Sequence, residues 1–217
     1  FTVNPGESVA LVGPTGAGKS TIVNLISRFY NVNDGKVLID DQDIANVTIH
    51  SLRAQMGIMM QDSFIFSGTI ADNIRYGKLD ATQEEIEKAG KIVCADPFIR
   101  EMPKGYETQV RERRSMLSQG QKQLISFART LLCDPAILIL DEATSSIDVQ
   151  TEKALQTGLN RMLKGRTSFI IAHRLSTIRG CDKIMYIDDG GIAEAGTHEE
   201  LMKKNGKYAA LYMSQFA

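Results

Sequence analysis

The sequence predicts an α/β fold in which a core built on a parallel sheet carries a helical insert. Strand and helix patterns alternate over residues 1–61 and return over 134–217, which is typical of a parallel sheet. From Asp62 to Cys133 the strand patterns are absent and helical patterns replace them. We therefore expect one domain over 1–217, with 1–61 and 134–217 as its core and 62–133 as a helical subdomain.

The individual elements follow from hydrophobic periodicity and from helix-capping residues. The predicted strands are Ser8–Val12, Lys36–Asp40, Met56–Met60, Ala136–Leu140, Thr167–Ala172 and Lys183–Ile187. The predicted helices are Thr21–Phe29, Thr69–Tyr76, Thr82–Val93, Gln119–Leu132 and Val149–Lys164. Phe1–Glu7 is expected to begin inside a strand-turn-strand.

Composition excludes several classes of protein. A chain of 217 residues with 43% hydrophobic residues suits one domain with a sizeable core. The net charge of −1 gives no general attraction to nucleic acid or anionic lipid. Three scattered cysteines without metal-site spacing indicate a reducing cytosol. No apolar run reaches the ~20 residues that cross a bilayer, so any membrane-spanning part is expected elsewhere. With no initiator Met and no targeting signal, the chain is interpreted as part of something longer.

A glycine-rich segment near the start is typical of a phosphate-binding loop. Gly13-Pro14-Thr15-Gly16-Ala17-Gly18-Lys19-Ser20 fits the pattern G-x-x-x-x-G-K-S. A buried strand precedes this segment and a helix beginning at Thr21 follows it, so the positive end of the helix faces the phosphates. Lys19 is expected to reach the β- and γ-phosphates, and the Ser20 hydroxyl to ligate Mg²⁺. The alternative is a glycine-rich turn with a surface lysine.

Two acidic residues follow the apolar run 136–140. Because ligands gather at the carboxyl ends of parallel strands, Asp141 and Glu142 are expected to face the phosphate loop. Asp141 can hold Mg²⁺ through water, and Glu142 can act as the general base for an attacking water. The alternative is an acidic N-cap on the next helix, although a carboxylate after five apolar residues favours a cation partner.

Two further polar residues end predicted strands. His173 follows the strand Thr167–Ala172 and could contact the γ-phosphate or the water. Gln61 follows Met56–Met60 and could reach Mg²⁺ and the water. A lone residue of either type is more often structural than catalytic, so neither carries the assignment alone.

The segment Leu117–Gln121 combines a helix start with an anion-binding pattern. Ser118 and Gln121 have the spacing of a capping box at the start of a helix. A serine hydroxyl, a glycine and free N–H groups at such a start also suit an anion. Taken by itself, the segment favours the plain helix cap.

With these elements in place, the chain resembles the nucleotide-binding domain of ATP-binding-cassette (ABC) transporters over essentially its whole length. The matching segments are Walker A Gly13–Ser20, the Q-loop Gln61, the signature Leu117–Gln121, Walker B Ile137–Asp141 with Glu142 after it, the D-loop 145–148 and the switch histidine His173. The segments Phe64–Ile74, Ala172–Thr177 and Gly196–Tyr212 are similar to the exporter branch, which includes multidrug, lipid and peptide exporters.

The resemblance implies a P-loop NTPase core that binds ATP and Mg²⁺ and hydrolyses ATP. It implies ATP contacts from Gly13 to Thr21 and, in the facing chain, from Ser118, Gly120 and Gln121. It assigns Mg²⁺ to Ser20, Gln61 and Asp141, and catalysis to Glu142, His173 and Gln61. The implied partners are a second such domain, identical or not, and transmembrane domains that this chain does not contain. The implied location is the cytoplasmic face of a membrane, with no role for nucleic acid.

The chain departs from the family pattern at three places. Gln119 stands where the family usually has glycine, and Arg111 and Arg114 stand where exporters usually have glycine. The aromatic residue that stacks on adenine lies well upstream of the phosphate loop in the family, and no such segment precedes Phe1 here. We therefore expect the N-terminal antiparallel β subdomain to be truncated.

Two other functions compete with export. An ABC protein that acts as a mechanical clamp on nucleic acid or ribosomes would carry basic patches, a coiled-coil insert or a second cassette, and none is visible in the sequence. A catalytically silent regulatory cassette would not need Glu142 and His173, both of which are present.

Overall fold

The computed structural model describes residues 1–60, 63–111, 117–141, 148–172 and 174–216. The strands are β1 (Ser8–Val12), β2 (Leu38–Ile39), β3 (Gln42–Asp43), β4 (Met56–Met59), β5 (Gly68–Thr69), β6 (Gln109–Val110), β7 (Ile137–Asp141), β8 (Thr167–Ile171), β9 (Lys183–Asp188) and β10 (Gly191–Gly196). The helices are α1 (Lys19–Ile26), α2 (Ile49–Arg53), α3 (Ile70–Arg75), α4 (Gln83–Ile92), α5 (Asp96–Glu101), α6 (Gln119–Leu132), α7 (Val149–Leu163), α8 (Leu175–Arg179), α9 (His198–Lys204) and α10 (Lys207–Phe216).

Contacts divide the chain into two compact units, of which the first comprises Phe1–Met56, Ala136–Glu142 and Gly165–Ala217. Its strands follow the order β10-β9-β1-β8-β7. The strands β9, β1, β8 and β7 are parallel, and β10 returns antiparallel to β9. Every residue of β1 is buried, as in a parallel strand covered on both faces. The predicted α/β class with a mainly parallel sheet is confirmed.

The second unit comprises Gly57–Pro135 and Ala143–Lys164 and is mainly helical. Its centre is α6, which packs against α3, α4 and α7. The apolar face of α6 buries Leu124 and Ile125, while α3 and α4 bury Ile74 and Ile86. The start of α6 at Gln119 and its end at Leu132 agree with the sequence prediction.

Helix α7 belongs by its contacts to the second unit, whereas the sequence analysis places it in the core. The reason is local packing, since Gly158 lies so close to the Val93 carbonyl that a side chain at residue 158 would collide with it. Arg161 also donates to the carbonyl oxygens of Lys91 and Ile92. The domain boundaries drawn from the sequence at 62 and 133 stay a prediction.

Several predicted elements are wrong in position or were missed. The predicted strand Lys36–Asp40 is only the two-residue β2, which turns back at once into β3 because Asp40 and Asp41 have φ of 48° and 62°. Phe1–Glu7 contains no strand, since β1 begins at Ser8. The supposedly strand-free insert contains the ladder of β5 with β6. The other missed elements are β10, α2, α5, α8, α9 and α10.

Helix α1 ends three residues before its predicted end at Phe29. The hydroxyl of Ser27 donates to the Val23 carbonyl, and Arg28 then adopts a left-handed conformation with φ of 51°. A left-handed residue cannot continue a right-handed helix, so the chain leaves the helix axis there. Across the ranges that the structure describes, every helix is too short or too polar to cross a membrane.

Candidate functional site

The glycine-rich loop joins the buried strand β1 to helix α1, as predicted. Gly13, Gly16 and Gly18 all have positive φ, of 138°, 83° and 103°, which other residues rarely adopt. At Gly13 the chain also passes so close to the Ile187 carbonyl in β9 that no side chain would fit. The two fixed glycines of the pattern, Gly13 and Gly18, and Gly16 at a variable position are therefore each favoured by their backbone conformation.

The start of α1 differs from that of four other helices in the described part of the chain. Its N-cap is Gly18, which makes no side-chain cap hydrogen bond, and its first turn has no acidic residue. Four other helices begin with a reciprocal capping box instead, namely α3, α4, α6 and α9. The positive end of α1 is thus neutralised by no side chain of its own turn, which suits a bound anion.

The Lys19 ammonium is held against the backbone of the loop. Its Nζ donates to the carbonyl oxygens of Gly13 and Pro14, each at 2.8 Å. Burial lowers the pKa of Lys19, and the negative charge of Asp141 acts in the opposite direction. A phosphate at this loop would offer the ammonium charged acceptors in place of two neutral carbonyls, and charged acceptors bind more strongly.

Asp141 lies at the predicted edge of the sheet. Both Asp141 of β7 and Leu11 of β1 lie opposite Ile171 of the intervening strand β8. The carboxylate therefore stands at the same level of the sheet as the residue two positions before Gly13. This placement agrees with the electrostatic interaction between Asp141 and Lys19.

The oxygen groups at this site suit Mg²⁺ bound together with a nucleotide. The Ser20 residue is exposed and Asp141 is half-buried, and hydroxyl and carboxylate oxygens are the ligands that Mg²⁺ uses. Among the described residues no cluster of three His, Cys, Asp or Glu side chains could hold a metal alone. Mg²⁺ that binds with a nucleotide is usually held by one or two carboxylates together with phosphate oxygens.

The three predicted catalytic residues lie outside the described residues. Gln61 follows β4 by two positions, Glu142 directly follows Asp141, and His173 follows the end of β8 by two positions. The D-loop residues 145–147 and the departure at Arg114 also lie outside. The roles assigned to them stay predictions.

The signature segment in the second unit forms the predicted helix cap. The Ser118 hydroxyl accepts from the Gln121 N–H at 3.2 Å, and the Gln121 side-chain oxygen accepts from the Ser118 N–H at 3.0 Å. Ser118 is exposed and Gly120 is buried. The capping role is thus confirmed, while nucleotide contacts of Ser118, Gly120 and Gln121 stay a prediction.

An exposed aromatic cluster in the second unit was missed as a feature of the surface. The Phe66 ring packs edge-on against Phe64, with centroids 5.0 Å apart, and against Tyr76 at 4.6 Å. Phe66 is 36% exposed, Phe64 48% and Tyr76 61%. The sequence signal that could have indicated this cluster is the pair Phe64 and Phe66, two apolar residues in a segment without helical periodicity.

Together, the loop between a parallel strand and an uncapped helix, and the carboxylate level with it, define a P-loop nucleotide-binding protein. The family described as ABC transporter matches residues 1–145, and the chain belongs to this family. It is an ABC ATP-binding domain of the exporter type, and membership of the family implies ATPase activity.

Individual relatives agree with this assignment. The chain is 56% identical, over 216 residues and 100% of its length, to the uncharacterized ABC transporter ATP-binding protein YfiC of Bacillus subtilis, of which it covers 36%. It is 50% identical over 96% of its length to a fatty acid ABC transporter ATP-binding/permease protein of Mycobacterium tuberculosis, of which it covers 33%.

A solved structure of a bacterial Atm1-family ABC exporter with ATP bound has the same fold. It matches 100% of this chain with a TM-score of 0.92 and 46% identity, and the match covers 38% of that chain. The present chain therefore spans about a third of the length of its relatives.

Proposed function

We propose that this domain hydrolyses ATP to ADP and phosphate and thereby powers export across a membrane by closing on a second such domain. The observation that carries the proposal is the position of Lys19 and Asp141 at one phosphate loop, beside a helix start that no side chain caps. The solved structure of an exporter supports the direction of transport, because it matches the whole of this chain.

In the proposed mechanism the loop binds the phosphates of ATP through its backbone N–H groups. Lys19 exchanges the carbonyls of Gly13 and Pro14 for β- and γ-phosphate oxygens. Ser20, Asp141 and Gln61 would hold Mg²⁺, and a metal bound there would supply positive charge to balance that of the phosphates. The expected contacts over Gly13–Thr21 are mostly made by the backbone, so they would tolerate changes of side chain at the variable positions of the loop.

Hydrolysis would then need a base and a closed interface. Glu142 accepts a proton from water while the water oxygen bonds to the γ-phosphorus and the bond to the bridging oxygen of ADP breaks. His173 contacts the γ-phosphate from the end of β8. Ser118 and Gly120 of the facing domain complete the site, and release of phosphate removes the anion that holds the two domains together.

The second proposed partner is a transmembrane domain on the cytoplasmic face of a membrane. The name ATP-binding/permease of a relative supports it, since a permease segment would occupy length that this chain does not cover. The Gln61–Phe66 segment is the expected point of contact, because Phe64 and Phe66 form part of the exposed aromatic cluster.

A pair of lysine variants tests the nucleotide site. Lys19→Ala should weaken ATP binding at least about tenfold, equivalent to about 1.4 kcal/mol, because the variant loses the ammonium that faces the phosphates. Lys36→Ala, which removes an exposed lysine of the same unit, should bind ATP like the parent. Calorimetric titration with ATP measures both, and equal affinities for the two variants would contradict the proposed site.

A further inference from the structure

A half-buried arginine in the second unit ties three parts of the chain together. Arg129, on α6, donates from Nε to the Asn73 carbonyl at 2.8 Å and from Nη2 to the Asn73 side-chain oxygen at 3.0 Å. Its Nη1 donates to the Phe64 carbonyl at 3.1 Å. The one guanidinium therefore joins α6, α3 and the segment that precedes α3.

Asn73 completes this network from the side of α3. The residue is 1% exposed, and its side-chain nitrogen donates to the carbonyls of Phe66 and Thr69 at 3.0 and 2.9 Å. Its side-chain oxygen accepts from the Phe66 N–H at 2.8 Å in addition to Arg129. The two N–H groups and the oxygen of this side-chain amide therefore all make hydrogen bonds, and these bonds fix the orientation of the amide.

The same guanidinium supports the exposed aromatic cluster of Phe64, Phe66 and Tyr76. Its central carbon lies 5.1 Å from the centre of the Phe66 ring, a distance typical of a cation–π contact. Burial lowers the pKa of Arg129, but arginine keeps its charge under all ordinary conditions. The cluster is therefore exposed on its outer side and held by a fixed cation on its inner side.

We propose that Arg129 is a positioning residue that links the aromatic segment 64–66 to the helix whose first turn carries the signature. On the basis of the proposed function, ATP moves Ser118 and Gly120, and Arg129 transfers this movement to the surface that contacts the transmembrane partner. Helix α6 runs without interruption from Gln119 to Leu132, so Arg129 and the signature are parts of one rigid element.

The geometry requires arginine rather than another cation. Different nitrogens of the planar guanidinium donate to Asn73 and to Phe64, whereas a lysine ammonium has one nitrogen from which to donate. Arg129→Lys keeps the charge but breaks the simultaneous link to both. Asn73→Asp keeps the acceptor for Arg129 and for the Phe66 N–H, and removes the donations to Phe66 and Thr69.

The test is amide hydrogen exchange of the whole protein that contains this chain, with and without Mg²⁺ and the non-hydrolysable analogue AMP-PNP. Three segments are followed, namely 13–20, 117–124 and 63–76. In the parent, the analogue should slow exchange in the first two and change exchange in the third. In Arg129→Lys and in Asn73→Asp, the response of 63–76 should fall at least about fivefold while the other two persist.

Arg161→Lys is the matched control, because Arg161 also donates from a helix of this unit to backbone carbonyls, and those carbonyls belong to α4 and not to the segment 64–66. It should leave all three responses intact. A response of 63–76 that survives in both test variants would overturn the inference. So would a loss of all three responses together with a lower midpoint of thermal unfolding, since that result identifies a structural role alone.

Failure of the proposed function would appear elsewhere in the same data. In that case the parent itself would show no protection of 13–20 with the analogue. If one test variant does not fold, the other decides the outcome, because the two break different hydrogen bonds of the same network.

Discussion

The backbone of Gly13 lies directly against the carbonyl oxygen of Ile187, with no room between them for a β-carbon. Gly13 begins the phosphate loop and Ile187 belongs to β9, the strand that pairs with β1. The first glycine of the loop is therefore fixed by a neighbouring strand as well as by its φ of 138°. The position of the loop depends on the packing of the sheet and not only on a bound phosphate.

Gly13→Ala should lower the free energy of unfolding by about 3 kcal/mol, because it adds both a collision and a strained φ. Gly6→Ala is the matched control, since Gly6 also has a positive φ, of 79°, but has open space around it. Its cost should be about 1 kcal/mol, from backbone strain alone. Urea unfolding of the purified chain measures the free energy of unfolding of both variants. Equal losses would show that the contact with Ile187 does not contribute to the cost of Gly13→Ala.

The signature serine offers a way to separate helix capping from nucleotide binding. Ser118 and Thr82 both accept from the N–H three residues on, in capping boxes at the starts of α6 and α4. Ser118→Ala and Thr82→Ala should each cost about 1 kcal/mol of stability through the lost cap. ATP-dependent dimerisation should weaken in Ser118→Ala only.

Analytical ultracentrifugation with ATP, beside urea unfolding, measures both effects. If the two variants dimerise equally well, Ser118 is a helix cap and nothing more. If Thr82→Ala also dimerises poorly, loss of stability explains both results.

The parts of this structure that the sequence predicted are those with short-range signals. The pattern of the loop Gly13–Ser20 lies within eight consecutive residues. The start of α6 is indicated by Ser118 and Gln121, which are three residues apart. Such patterns depend on local backbone chemistry, and the fold does not override them.

The missed parts depend on weak or distant signals. Strand β10 is half-exposed and follows a tight turn at Asp189 and Gly190, both with positive φ, which is a hairpin signal that the sequence analysis did not use. The contacts of Arg129 span 56 and 65 residues of chain, and no local pattern of residue types specifies them. Periodicity predicts which face of α6 is buried, but not which carbonyls an arginine on it will reach.

A carboxylate beside the first strand should make stability depend on pH. The hydroxyl and N–H of Ser8 both donate to the Asp182 carboxylate, at 2.6 and 2.8 Å, and they lower the pKa of Asp182 below its ordinary value. A carboxyl whose pKa is lower in the folded state stabilises the fold above its unfolded pKa of about 3.9. That contribution is lost as the pH falls through the folded value.

Asp182→Asn should therefore lower the free energy of unfolding at about pH 7, and the difference from the parent should shrink as the pH falls below the unfolded pKa of about 3.9. Asp34→Asn, at an exposed carboxylate bonded to the next residue's N–H, is the control and should change stability little at either pH. Urea unfolding at the two pH values measures the difference. A gap that is constant with pH would contradict a role for the Asp182 charge.

The proposed catalytic base gives the sharpest test of the mechanism. Glu142→Gln keeps the shape of the side chain but cannot accept a proton, so hydrolysis should fall at least about a hundredfold while ATP binding persists. The variant also removes a negative charge that would face the γ-phosphate, and closure on ATP should therefore become more favourable. We expect a dimer with ATP and a monomer with ADP, seen as a doubled mass in size-exclusion chromatography with light scattering.

Glu152→Gln, at an exposed glutamate in the first turn of α7, should behave like the parent in both assays. Hydrolysis at the parent rate would exclude Glu142 as the base, and a variant that binds ATP but stays monomeric would contradict ATP-driven closure of this domain.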